Sequence, residues 1–119
     1  MNRKMHLVAG TALFLVFACG AGLFHRINAS LLIFGLGAVA AGSLVPDILE
    51  PPTSAKHRGF FHCRRLLAFA GAVLFLTAVP VVYIPGLTHL QLFVICSSFF
   101  LGYTAHLVAD SLTRAGLPR

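Results

Sequence analysis

The chain has 119 residues, 58% of them hydrophobic and only 10% charged, whereas an ordinary soluble domain carries roughly 25% charged residues. That balance excludes a water-soluble globular domain and leaves one domain, residues 1–119, built for lipid as its solvent. The formal charge of +6 does not make it a nucleic-acid binder, because the bases flank apolar runs instead of forming a face.

Four apolar segments follow along the chain, roughly 7–24, 30–45, 66–84 and 90–109. A membrane helix needs about 20 such residues. The first segment, after Met1-Asn2-Arg3-Lys4, has the outline of a signal peptide, and Val16-Phe17-Ala18-Cys19 loosely resembles a lipoprotein cleavage site. Phe17 fits that site poorly, and cleavage would leave an odd number of spans, so the segment is read as a retained helix. The second segment is short; it extends by a turn at either end or sits tilted in a thinned bilayer. Pro80 falls late in the third segment and Pro85-Gly86 closes it, so a kink or an early exit is expected there.

The glycines within the spans are read as points of close helix packing. Gly35-x-Gly37-x-x-Ala40 matches a relaxed dinucleotide fingerprint, but it lacks the preceding strand and the later acid that such a site requires. Cys19, Cys63 and Cys96 are odd in number and widely spaced, which excludes a disulfide framework and a CxxC zinc knuckle.

Arg3, Lys4, Lys56, Arg58, Arg64, Arg65, Arg114 and Arg119 fall on one side if the chain crosses four times, and Arg26 alone falls on the other. Cytoplasmic loops of membrane proteins carry the excess of Lys and Arg. The expected fold is therefore an all-α integral membrane four-helix bundle with both termini and the central loop in the cytoplasm.

The chain keeps only three acids, Asp47, Glu50 and Asp110. Asp47 and Glu50 follow the second span, His57 and His62 lie ahead of the third, His106 and Asp110 end the fourth, and His6 begins the first. All of these share one depth. His106 and Asp110 are four apart and so lie on one helix face, and ionisable groups at membrane depth are costly and usually functional. Imidazoles and carboxylates together suit a divalent ion, zinc first, with manganese, iron or magnesium as alternatives. Each residue also has a plainer reading. Asp47 could cap a turn, Glu50 could pair with Lys56 or Arg58, and His6 could be an interfacial side chain. His57, Arg58, Arg64 and Arg65 could form a basic collar on anionic headgroups. The cluster as a whole favours a shared metal site.

Pro46-Asp47-Ile48, His57-Arg58-Gly59-Phe60-Phe61-His62, and Gly102-Tyr103 through His106-Leu107 to Asp110, with Thr113 and Gly116, resemble the motifs of the YdjM-like family of inner-membrane metal-dependent hydrolases. In that family an aspartate follows a proline after a hydrophobic helix. An His-Arg-Gly-x-x-His-Ser stretch comes next, and Gly-x-x-x-His-x-x-x-Asp-x-x-Thr-x-x-Gly closes the core. An early histidine, here His6, also recurs. The likeness spans nearly the whole chain. It departs at Leu49, where many members have a second acid, at Cys63, where serine is usual, and at Arg114, where proline is usual.

The resemblance implies a multi-pass protein of the inner (cytoplasmic) membrane. His6, Asp47, His57, His62, His106 and Asp110 would hold one ion or two, and a metal-activated water would attack a phosphoester or lipid substrate. Glu50 would take the proton from that water, and Arg58 would neutralise an anionic group. The expected partner is membrane lipid. In the alternative, the chain is a non-enzymatic adaptor or structural metal-binding protein, whose basic loop holds a cytoplasmic protein or anionic lipid.

Overall fold

The computed structural model describes residues 3–51, 59–113 and 117. Among them all regular structure is helical: α1 (Arg3–Gly20), α2 (Leu23–Arg26), α3 (Ala29–Leu49), a 3-10 turn (Phe60–His62), α4 (Arg64–Tyr83) and α5 (Leu90–Ser111). The long helices α1, α3, α4 and α5 contain 18, 21, 20 and 22 residues, and all four are long and apolar enough to cross a membrane. At 1.5 Å per residue, helices of this length match a hydrocarbon layer of about 30 Å. The body measures 47 × 24 × 20 Å.

Two helix boundaries differ from the sequence expectation, for local reasons. The first span stops at Gly20 and not near residue 24, because Gly22 takes a left-handed conformation (φ 63°) that no continuing helix tolerates. A short helix, α2, then leads to Asn28, whose side chain accepts the Leu31 amide at 2.9 Å and caps α3. The second span runs on through Pro46 to Leu49. Asp47 is therefore a helical residue, and the turn or cap role does not apply to it. Pro80 likewise sits inside α4, which continues to Tyr83 before the chain leaves it. Proline costs each helix one hydrogen bond without ending it, as is common where neighbouring segments are close.

The central element is α5. It packs against α1, α3 and α4, and α1 also packs against α3. Lipid tails are as apolar as the side chains, so van der Waals fit drives this association, and small residues permit the closest approach. The tightest point joins α3 and α5. A β-carbon at Gly42 would run into the carbonyl of Phe99, and one at Gly102 into the carbonyl of Val39. These two glycines let the backbones touch one turn from the polar cluster. From Val39 the apolar core runs through Phe14, Ala18, Leu23, Val81 and Val94 toward the end remote from that cluster. There the Arg26 guanidinium donates to the carbonyls of Ala21 (3.1 Å), Val81 and Ile84 (2.9 Å). It joins the α1–α2 corner to the end of α4, a helix whose main partner among the other spans is α5.

Candidate metal centre

Four separate segments deliver polar side chains to one place. His6 comes from the first turns of α1, Asp47 from the last turn of α3, His62 from the 3-10 turn ahead of α4, and His106 and Asp110 from the end of α5. His62 and His106 are 0% exposed, His6 1%, Asp110 2% and Asp47 4%. Burial of that many ionisable groups is expensive unless they are paired or hold a cation.

The two imidazoles on which the cluster turns are each held from behind. His106 Nδ1 lies 2.7 Å from the Ser43 carbonyl. A carbonyl can only accept, so Nδ1 carries a proton, and in the neutral ring Nε2 then presents its lone pair. The close Gly42–Gly102 contact brings that carbonyl within reach, and Pro46 offers no N–H to the carbonyl beside it, that of Gly42. On the other side, His62 Nδ1 lies 2.9 Å from Glu50 Oε2, which fixes the same tautomer when Glu50 is ionised. Glu50 also accepts the Gly59 amide (2.9 Å) and the Phe61 amide (3.2 Å), and the Tyr103 hydroxyl donates to the Phe61 carbonyl at 3.1 Å. Burial alone would raise the Glu50 carboxyl. The hydrogen bonds from His62, Phe61 and Gly59 outweigh it and hold the group below its ordinary value of 4.5.

With both Nδ1 atoms committed as donors, the two Nε2 atoms face each other at 3.2 Å. Asp47 Oδ1 lies 3.6 Å from each of them. Asp110 Oδ2 lies 3.7 Å from His62 Nε2 and 3.5 Å from His106 Nε2. Donors about 2.05 Å from a tetrahedral ion are separated by about 3.3 Å. The five separations, from 3.2 to 3.7 Å, are of that size, and they form two triangles that share the Nε2–Nε2 edge, one closed by Asp47 and the other by Asp110. One donor atom each from His62, His106 and Asp110 lies within 4.8 Å of the others, and the same holds for His6, Asp47 and His106.

Five of the expected residues, His6, Asp47, His62, His106 and Asp110, are thus brought together. Glu50 stands behind His62, on the side away from the facing Nε2 atoms. His57 and Arg58 lie outside the described residues. The Ser43 carbonyl and the Tyr103 hydroxyl are supports that the sequence reading missed. Ser43 lies four residues before Asp47 and Tyr103 three before His106, the spacings that share a helix face.

Fold and site together define a helical protein with four membrane-length helices and a buried histidine–aspartate cluster able to hold a metal ion. No protein-family model, curated protein or solved structure matches this chain.

Proposed function

We propose that this chain is an integral membrane metal-dependent hydrolase, of the YdjM-like kind its motifs resemble, working at the cytoplasmic face of the inner membrane. The observation that carries the metal is the meeting of two lone pairs. His62 and His106, each held at Nδ1 by an acceptor behind it, turn their Nε2 atoms toward each other with Asp47 and Asp110 beside the pair. In neutral rings protonated at Nδ1 the facing lone pairs and the carboxylates repel one another until a proton or a metal ion comes between them. Imidazole nitrogen and carboxylate oxygen together suit zinc first.

When bound there, a divalent ion would lower the pKa of a water toward neutrality and would polarise the bond to be cleaved. Asp47 and Asp110 provide the negative charge that retains the cation. Ser43 and Glu50 keep the two imidazoles in the ligating tautomer, the usual task of groups behind a metal ligand. Glu50 is then a positioning residue as much as a candidate proton acceptor, and Arg58 is proposed to meet an anionic group of the substrate. The depth of the cluster favours a substrate that arrives through the membrane, a lipid or other phosphoester.

One observation favours a second reading, in which the ion is structural and the chain serves as an adaptor. The donor residues of the cluster are all almost completely buried, as in closed structural sites, whereas catalytic zinc keeps an open position. Turnover separates the two. Metal-loaded wild-type protein is screened against phospholipids and soluble phosphoesters, with Asp47→Asn as the control. The hydrolase reading expects turnover that Asp47→Asn abolishes. Full metal occupancy with no turnover on any substrate, and Asp47→Asn losing only stability or assembly, would establish the structural role instead.

A further inference from the structure

The one-ion centre leaves His6 unexplained. Its ring is buried, and neither nitrogen has a hydrogen-bond partner among the described residues, although a buried imidazole ordinarily satisfies at least one. Nε2 lies 3.5 Å from Asp110 Oδ1. That distance is long for a hydrogen bond, yet suits two donors that share an ion about 2.1 Å from each. The other oxygen of the same carboxylate, Oδ2, faces His62 and His106. The two oxygens of Asp110 thus address two different sets of imidazoles.

Ring geometry separates those sets. His6 stacks on His106 with centroids 3.8 Å apart and planes 19° from parallel. The ligating lone pair of an imidazole lies in its ring plane, so two stacked imidazoles aim at points displaced from each other by about the stacking distance. Ions in two-metal hydrolytic sites are about 3.5–4 Å apart.

Resting on the metal-centre reading above, we infer that the cluster takes a second divalent cation, seated between His6 Nε2 and Asp110 Oδ1, with Asp110 bridging the two ions. Asp47 offers His6 a further carboxylate, because donor atoms of His6, Asp47 and His106 lie within 4.8 Å of one another. Two divalent cations exceed the charge of Asp47 and Asp110 combined. The surplus draws an oxyanion to the pair, and a phosphoester carries that group where a carboxylic ester does not.

The test is a manganese titration of detergent-purified full-length protein, followed by metal analysis and electron paramagnetic resonance. Two ions per chain are expected, with the six-line signal of the first equivalent lost into an exchange-coupled spectrum as the second enters. His6→Phe, which keeps the stack on His106 but cannot ligate, is expected to bind one ion with an uncoupled signal. A single ion in wild-type protein overturns the second seat and leaves the one-ion centre standing, whereas no ion at all removes both. Two ions without coupling overturn the Asp110 bridge, and a coupled pair in His6→Phe overturns the assignment to His6. Should His6→Phe fail to fold, the coupling in wild-type protein decides by itself.

Discussion

Glu50→Gln probes the hydrogen bonding behind the metal ligands more sharply than removal of a ligand does. Glu50 Oε2 accepts from both the Gly59 amide and His62 Nδ1, each at 2.9 Å, and Oε1 accepts from the Phe61 amide at 3.2 Å. Glutamine has nearly the same shape but only one accepting oxygen, so its amide group must confront a donor on one side. If that oxygen takes the Oε1 position, it keeps the Phe61 amide, and both the Gly59 amide and His62 lose their acceptor. If it stays with His62, the 3-10 turn that carries the ring loses an anchor. Loss of such support behind a metal-ligating histidine typically weakens metal binding by about 10–100-fold, which is about 1.4–2.8 kcal/mol. Competition against a chromogenic zinc chelator in detergent measures it directly. The expected result is full stoichiometry at saturating zinc with affinity lowered by that factor. Unchanged affinity would refute the positioning role, and loss of all binding would make Glu50 a ligand itself.

Further outcomes follow from the same geometry. Gly102→Ala forces a β-carbon against the Val39 carbonyl, so unfolding of the purified protein in mixed micelles should show a loss of about 1–3 kcal/mol, the usual range for overpacking. Arg26→Ala removes a charged donor from the carbonyls of Ala21, Val81 and Ile84. It should cost about 1.5–3 kcal/mol in the same assay while leaving metal content unchanged, because the cluster lies at the opposite end of the helices. In chelator-treated protein the Glu50 carboxylate is held below 4.5. Its contribution to stability is therefore present above 4.5 and is lost as pH falls through the depressed folded value. The stability difference between wild type and Glu50→Gln should shrink across that acidic window, and a difference that grows there would reverse the assigned sign.

The membrane-length helices were legible in the sequence because apolar run length is a local property, read without knowing any partner. Convergence of His6, Asp47, His62, His106 and Asp110 was legible for a related reason. Spans that alternate in direction return their ends to one level, and polar residues were concentrated at those ends. What escaped depended on contacts between segments. Pro46 looked like a helix end and Pro80 like a kink or an early exit, yet both lie inside helices that continue past them. Gly22 looked like one more packing glycine, although it supplies the left-handed turn that ends the first span. The Ser43 carbonyl could not be found from side-chain types at all, since the acceptor is backbone and only the Gly42–Gly102 approach exposes it to His106. Glu50 was visible as an acid near histidines. Its place behind His62 depends on a turn that brings residues 59–62 back over the end of α3.

The central claim is that the facing Nε2 atoms and carboxylates form a metal centre, and elemental analysis of detergent-purified protein tests it most directly. Wild-type protein exposed to zinc and then desalted should retain at least one ion per chain. His106→Ala, which removes one of the two facing nitrogens, should retain markedly less in a protein that circular dichroism shows to be still helical. Metal-free wild-type protein after saturating exposure, or His106→Ala retaining the full wild-type content, would contradict the account.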